Sequence, residues 1–226
     1  MFKRYAIYYT PEPGTPLADF GARWLGWDSA DGVGCTHPDV GDLDVAAVTE
    51  TPRKYGFHGT IKPPFRLAEG QTLDALNTAL AVLCADAATV SLDGLELARL
   101  GRFLALVPSG DASSLGVLAA RAVQELDVFR APPTEAELAK RRSANLTAEQ
   151  EAHLVRWGYP YVLDQFRFHL TLAGKLDKPT ISQAETALTP ALAGLELSPY
   201  RIDGLTLLGE DENGLFHQIH RYALTG

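Results

Sequence analysis

Two stretches of this chain contain a histidine followed two residues later by a threonine. The first is YGFHGTIKPPF, from Tyr55 to Phe65, and the second is FRFHLTL, from Phe166 to Leu172. Both have the aromatic and aliphatic surroundings typical of buried β-strands. An ionisable side chain is uncommon in such surroundings, so its occurrence at the same point of both stretches indicates a shared role.

The order of the predicted elements also occurs twice. Each histidine stretch is followed by a helix of 3.6-residue periodicity and then by two more strands. The predicted ranges are 57–67, 73–87, 90–100 and 103–107 in the first half, and 166–173, 180–193, 195–203 and 204–208 in the second. Because the two histidines lie almost half a chain length apart, we predict an α+β fold of two pseudo-symmetric βαββ-type lobes, with antiparallel sheets around a central cleft.

The remaining segments complete a single bilobal domain over residues 1–226. Lobe one covers about 1–128, a helical insertion about 130–160, and lobe two about 161–226. Further predicted elements are a strand at 4–9, helices at 17–25 and 114–126, capped helices at 135–142 and from Thr147 to about Trp157, and a last strand at 215–222. Whether 11–51 or 130–160 forms a lid over the cleft is left open.

Strand geometry explains why the histidine and the threonine occur together. Residues i and i+2 of a strand point to the same face, so His58 and Thr60 share one face, as do His169 and Thr171. Across a cleft, one neutral imidazole can take a proton from water and the other, protonated, can give one to a leaving oxygen. The hydroxyls can bind phosphoryl oxygens. The scheme needs neither a metal nor a cofactor, and it leaves open which histidine is the base.

Cations and aromatic residues near these motifs are candidates for further substrate contacts. The candidates are Tyr55, Lys62, Arg141, Arg142, Tyr161 and Arg167. Strand alternation places Lys62 on the face of His58 and Arg167 on the face of His169. The run from Lys140 to Arg142 is equally consistent with a solvated helix face.

The overall charge favours a small substrate. The net charge is −8, with no general excess of basic residues, whereas proteins that follow long nucleic acids usually carry a basic face. We therefore expect a small phosphorylated substrate, such as a nucleotide or a ribose cyclic phosphate, and no membrane partner. Two cysteines without a CxxC motif, and no secretory or membrane-spanning segment, predict a cytoplasmic protein.

Motifs for other chemistries are absent from the sequence. It contains no GxxxxGK[ST], GxGxxG, GxSxG or HExxH. A zinc site formed by both motif histidines and a third ligand such as Asp164 has no supporting spacing.

Four longer sequence segments resemble those of a known family: YGFHGTIKPPFRL, FRAPPTEAELAKRR, RWGYPY and FRFHLTLAGKL. With the paired His-x-Thr motifs, they resemble the two-histidine (2H) phosphoesterase superfamily, which includes the 2′,5′ RNA ligase-like and cyclic nucleotide phosphodiesterases. The similarity is to an uncharacterised branch found beside phosphonate-degradation genes. It implies that His58 and His169 are the catalytic pair and that Thr60 and Thr171 bind phosphate. It also implies metal-independent hydrolysis of a cyclic or 2′-linked phosphodiester.

Two other functions remain open. The same cleft could bind a phosphorylated ligand without hydrolysing it, as a regulatory module does. The chain could also be an RNA end-processing enzyme of the same superfamily, although its acidic charge counts against that. The exact substrate and the oligomeric state are not fixed by these patterns.

Overall fold

Most strands of this chain lie close to the predicted ranges. The computed structural model describes residues 2–226. Its strands are β1 (Arg4–Tyr9), β2 (Trp27–Asp28), β3 (Val33–Gly34), β4 (Gly59–Phe65), β5 (Val90–Leu92), β6 (Gly94–Leu100), β7 (Phe103–Ser109), β8 (Leu170–Thr171), β9 (Tyr200–Ile202), β10 (Gly204–Glu210) and β11 (Phe216–Ala223).

The predicted helices are also present, and two short ones are added before β4. The helices are α1 (Pro16–Leu25), α2 (Val45–Val48), α3 (Glu50–Arg53), α4 (Leu73–Ala85), α5 (Ser113–Glu125), α6 (Glu135–Arg142), α7 (Ala148–Trp157) and α8 (Lys178–Leu192). Within residues 2–226, no helix has the length and apolar character needed to cross a membrane.

Seven strands form one antiparallel sheet in the order β11–β10–β1–β4–β8–β7–β6. The predicted α+β class with antiparallel strands is therefore confirmed. Each half of the chain contributes strands to both sides of the sheet, because β1 and β4 lie beside β10 and β11, whereas β8 lies beside β7 and β6. The predicted lobe boundaries, near residues 128 and 161, do not coincide with a division of this sheet.

Each half still repeats one order of elements: a strand that begins after a histidine, a helix, a short strand and a long strand. These are β4, α4, β5 and β6 in the first half, and β8, α8, β9 and β10 in the second. The equivalent strands meet at two places. In the centre, Gly59 pairs with Leu170, and at the second place Val90 pairs with Ile202. Both contacts are expected of a pseudo-two-fold arrangement.

The main core covers only one face of the sheet. Helices α4, α5 and α8 bury Leu80, Leu115 and Leu188 completely against it. In β1, Ile7 points into this core, whereas Tyr8 belongs to a separate small cluster on the opposite face. The alternation of β1 therefore separates the packed face from the face that carries the site.

Strand β8 is much shorter than the predicted range 166–173. Before it, a 3₁₀ turn at Leu163–Gln165 bends the chain, and the amide of Phe166 bonds back to Leu163. After it, the amides of Leu172 and Ala173 both bond to the carbonyl of Leu104, which interrupts the regular ladder. Only Leu170 and Thr171 remain in the sheet, so His169 immediately precedes its strand, as His58 precedes β4.

The insertion has the predicted capped helices. Thr134 and Thr147 each accept a hydrogen bond from the third helical residue, whose side chain bonds back to the cap amide. Both are complete capping boxes. The insertion lies against the end of β4, where the amide of Ala131 bonds to the carbonyl of Arg66. This position brings α6 to the edge of the central cleft.

Candidate active site

The register of the two central strands brings the His-x-Thr motifs together. Strands β4 and β8 are antiparallel, and Gly59 pairs with Leu170. His58 therefore lies opposite Thr171, and Thr60 lies opposite His169. Residues directly opposite in an antiparallel pair have Cα atoms about 4.5–5.5 Å apart, and alternate residues share a face. The four side chains consequently form one polar group on the open face of the sheet.

Both imidazoles are held in the same way. The Nδ1 atom of His58 donates to the carbonyl oxygen of Gly56 at 2.9 Å, and that of His169 donates to the carbonyl oxygen of Arg167 at 2.8 Å. A carbonyl oxygen can only accept a hydrogen bond, so Nδ1 carries a proton in each ring. This leaves Nε2 of each ring available for proton transfer.

His58 is enclosed on the side of β1. Its ring stacks on the buried ring of Tyr8, with centroids 3.8 Å apart and planes 21° apart. The Thr60 hydroxyl lies 3.2 Å from Nε2 and can donate to it. Burial lowers the pKa of His58 to about 4, the Gly56 carbonyl raises it in part, and electrostatic repulsion from His169 lowers it further. At neutral pH the ring is therefore uncharged, with Nε2 as a proton acceptor.

His169 lies at the other side of the group, near the start of β7. Its ring is half-buried, and its nearest aromatic neighbour is Phe103, with ring centroids 5.7 Å apart. The two imidazoles thus differ in surroundings, one stacked on a buried phenol and the other beside a partly exposed phenyl ring.

Two glycines permit this arrangement. A Cβ atom on Gly59 would overlap the ring of Phe168, the residue before His169. Gly56 has φ +71°, a left-handed conformation that side chains disfavour, and a Cβ there would contact Ser29. Glycine at these positions allows close approach of the strands and the turn that presents the Gly56 carbonyl to His58.

The four motif side chains line one cleft of about 430 Å³. The residues that surround them in the cleft include Arg4, Tyr8, Tyr55, Phe103, Arg141, Tyr159 and Lys175. Tyr55 and Arg141, both predicted as substrate contacts, are therefore placed where a ligand would lie. Thr51, the last residue of the 11–51 segment, and the adjacent Pro52 also line the cleft.

The prediction that Lys62 shares the face of His58 is wrong. Tyr8 pairs with Thr60, but Ile7 pairs with Lys62, so Ile61 is an extra residue in β4. Such a bulge turns the following side chains to the other face. The Lys62 ammonium is buried, donates to the carbonyl of Val123 at 2.9 Å and lies 3.5 Å from the Asp127 carboxylate. Burial lowers its pKa to about 8.

Three other predicted contacts do not line this cleft. Arg142 is exposed and bonds to Glu151. The Arg167 guanidinium turns back to the carbonyls of Asp164 and Phe166. Arg167 and Tyr161 instead line a neighbouring pocket that shares Thr60 and His169 with the cleft.

Tyr8 and Arg4 also line the cleft, although the sequence motifs did not predict them. Tyr8 pairs with Thr60, and its alternation with Ile7 places it on the face of the site. The period-two pattern of β1 indicates which of its side chains share a face. It does not identify the strand that pairs with β1, so it does not place Tyr8 beside the motif. Tyr159 follows the Gly158 cap of α7 and also lines the cleft, with the Arg141 guanidinium 4.6 Å from its ring centroid.

The residues that could ligate a metal do not cluster. Across residues 2–226, no group of three or more His, Cys, Asp or Glu side chains is arranged to hold a metal ion. The Asp164 carboxylate lies 2.5 Å from His153 Nε2 and does not line the cleft of the motif histidines.

The chain is similar to several known proteins. A family model described as a protein of unknown function, DUF1045, matches residues 60–217. Two curated relatives are both named ribose 1,5-bisphosphate phosphokinase PhnN. The one from Janthinobacterium sp. (strain Marseille) is 39% identical over 93% of this chain and 48% of its own length. The one from Laribacter hongkongensis (strain HLHK9) is 34% identical over 96% of this chain and 51% of its own length.

The chain thus spans about half the length of the curated relatives it matches. Among solved structures, E. coli LigT complexed with phosphate aligns over 100% of this chain and 99% of its own, with 15% sequence identity and a TM-score of 0.44.

Proposed function

This chain belongs to the DUF1045 family of proteins of unknown function, and we propose that it is a two-histidine phosphoesterase. Its substrate would be a small cyclic or 2′-linked phosphodiester, hydrolysed by general acid–base catalysis without a metal. The observation that carries this proposal is the pairing of Gly59 with Leu170, which sets each motif histidine opposite the threonine of the other motif. Two imidazoles and two hydroxyls on one open face are the groups that such a reaction requires.

The surroundings of the two rings favour His58 as the base. It is uncharged at neutral pH, and its Nε2 is an acceptor. A water molecule would attack phosphorus and transfer its proton to this Nε2. The bond from phosphorus to the leaving oxygen would break, and that oxygen would receive the proton from Nε2 of a protonated His169.

The threonines would hold the phosphoryl group during this step. The Thr60 hydroxyl already lies within hydrogen-bond distance of His58 Nε2. In the complex, it and Thr171 would donate to the two non-bridging oxygens, whose negative charge must be stabilised in the transition state. The product is a phosphomonoester together with a free hydroxyl group on the same sugar when the substrate is cyclic.

The names of the curated relatives support a phosphorylated ribose as the substrate class. Those names describe whole proteins, of which this chain spans about half. The kinase name implies nucleotide phosphoryl transfer, yet this sequence has no GxxxxGK[ST] motif. We therefore propose a ribose cyclic phosphate, and not a nucleotide phosphoryl donor, as the substrate of this chain.

The direct test is hydrolysis of 2′,3′-cyclic nucleotides and ribose cyclic phosphates by wild type, His58→Ala and His169→Ala, with EDTA present. Each variant should lose about 10²–10⁴-fold in rate, the usual contribution of one general acid or base. His220→Ala is the matched control, because His220 is an exposed strand histidine outside the cleft. Full activity in either site variant would exclude the two-histidine mechanism.

Two further outcomes of these assays would favour another mechanism or function. Loss of wild-type activity in EDTA would replace this mechanism with a metal-dependent one. Tight binding of a cyclic nucleotide without turnover would support the binding module instead.

A further inference from the structure

A second pocket opens beside the cleft, between the start of β1, the end of β4 and helix α6. Its volume is about 140 Å³, compared with roughly 30 Å³ for one water molecule in the liquid. Arg4, Pro64 and Arg141 line both this pocket and the cleft. A small ligand in the cleft could therefore extend one substituent into the second pocket.

The second pocket, here called the basic pocket, is lined by more basic than acidic side chains. Five basic side chains line it against one carboxylate: Arg4, Arg66, Arg130, Lys140 and Arg141 against Glu137. The chain as a whole carries a net charge of −8. A local excess of positive charge in an acidic protein concentrates anions at that site.

Three of these cations are already neutralised by neighbouring carboxylates. Their salt bridges are Arg4 with Glu210 at 2.5 Å, Arg66 with Glu137 at 3.2 Å, and Arg130 with Asp127 at 2.7 Å. Lys140 and Arg141 make no side-chain hydrogen bond or salt bridge to any other residue in the 2–226 range. The uncompensated charge of the basic pocket therefore comes from α6.

Arg141 is held in place without using its hydrogen-bond donors. Its guanidinium lies 4.6 Å from the ring centroid of Tyr159, which lines the cleft. Stacking on a ring restrains a guanidinium while its N–H groups remain free in the plane, the arrangement suited to a phosphate or carboxylate. The adjacent Arg142 differs, since it is exposed and bonded to Glu151.

We propose that the basic pocket binds a second phosphate group of the substrate. The substrate class is then a small cyclic or 2′-linked phosphodiester that also carries a phosphomonoester on the same sugar. This inference rests on the proposed function for the first phosphate. The second phosphate would accept a two-point hydrogen bond from Arg141, with Lys140 adding charge at the pocket rim.

Calorimetry with adenosine 2′-monophosphate and adenosine 2′,5′-bisphosphate tests this inference, because these ligands differ by one phosphate group. Wild type should bind the bisphosphate at least about tenfold more tightly. Arg141→Ala should weaken bisphosphate binding by about tenfold or more, and by a clearly larger factor than it weakens monophosphate binding. Arg141→Lys should restore part of the difference, because the charge remains and the two-point geometry is lost.

Arg156→Ala is the matched control. Arg156 also lies on the insertion with its guanidinium 4.6 Å from an aromatic centroid, that of Trp157, but it lines neither pocket. The two variants lose the same charge, so an equal effect in both would overturn the inference. Equal affinity of wild type for the two ligands, equal weakening of both by Arg141→Ala, or no binding of the bisphosphate would also overturn it.

Hydrolysis assays distinguish a failure of this inference from a failure of the proposed function. Turnover of 2′,3′-cyclic AMP without a preference for its 5′-phosphorylated form would support the function and contradict the second phosphate site. A binding preference for the bisphosphate, abolished by Arg141→Ala, without turnover of either cyclic compound would retain the site and reject the function.

Discussion

Gly59 pairs directly with Leu170 at the centre of the seven-stranded sheet, although the two residues lie almost half the chain apart. Each of them follows a histidine and precedes a threonine. One backbone pairing therefore aligns both motifs, and the geometry of the candidate site depends on how closely these two strands approach.

Gly59→Ala should disturb this approach. The new methyl group would overlap the Phe168 ring, which adjoins His169. We expect a loss of about 1–3 kcal/mol in the free energy of unfolding from overpacking, measured by urea denaturation. A fall of at least about tenfold in kcat/KM should accompany it, because small displacements of catalytic groups are costly.

Gly116→Ala is the control for that substitution. Gly116 lies within α5, and a Cβ there has no neighbour within 4 Å. Alanine should stabilise the helix by about 0.5–1 kcal/mol and leave activity unchanged. Wild-type stability and activity in Gly59→Ala would show that the strands are not closely packed there.

The pH dependence of kcat/KM should report the environment of His58. The base must be uncharged, and burial lowers the pKa of His58 to about 4. The rate should therefore stay level as pH falls through 6 and decline only near pH 4. A decline centred near pH 6.5, the ordinary value for histidine, would contradict this assignment.

Folding stability should change in the same pH window. Between about pH 6.5 and pH 4, the unfolded chain binds a proton at His58 that the folded chain does not. The contribution of this residue to stability is thus present above pH 6.5 and lost as pH falls toward 4. The thermal midpoint of His58→Gln should vary less with pH across this window than that of wild type. Identical pH dependence of the two proteins would contradict the lowered pKa.

Tyr8→Leu should raise the pKa of His58. The Tyr8 ring stacks on the imidazole and excludes water from one face of it. A smaller side chain admits water and lowers the cost of charging the ring. NMR titration of the His58 ring protons should show a pKa closer to 6.5 in the folded variant, and an unchanged pKa would show that the stacked ring does not enclose the histidine.

Lys62→Met should leave the active site intact. The Lys62 ammonium is buried on the core side, and its partner Asp127 also bonds to Arg130. Replacement by an apolar side chain of similar length should change the free energy of unfolding by less than about 2 kcal/mol. We expect kcat/KM to remain within about twofold of wild type, because no transition-state contact is removed.

Thr60→Val, two residues earlier on β4, provides the contrast for Lys62→Met. It removes a hydroxyl from the cleft with little change in shape and should lower kcat/KM by about 10²–10³-fold, the usual loss for one transition-state hydrogen-bond donor. A fall of that size in Lys62→Met would contradict this placement and indicate that Lys62 contributes to catalysis.

Local patterns predicted most of the elements of this fold. The helix at Glu135–Arg142 and its Thr134 cap follow from interactions between residues three or four apart, which the sequence displays directly. The two-residue length of β8 depends instead on a turn before it and on bonds to Leu104 after it. Such features are determined by tertiary contacts and leave no periodic signal.

The same distinction applies to the site. His58, Thr60, His169 and Thr171 were predicted from two repeated motifs, and the structure places all four in one cleft. Lys62 was misplaced because strand alternation assumes a regular strand, whereas β4 has an extra residue at Ile61. Tyr8 and Arg4 come from β1, distant in sequence, and only the strand order brings them to the cleft.

The central claim is that both His-x-Thr motifs bind the same phosphate group. A structure of crystals soaked with inorganic phosphate tests it most directly. The claim predicts one phosphate between Nε2 of His58 and Nε2 of His169, with the hydroxyls of Thr60 and Thr171 on its other oxygens. A phosphate that contacts only one of the two motifs, or an empty cleft at saturating phosphate, would contradict it.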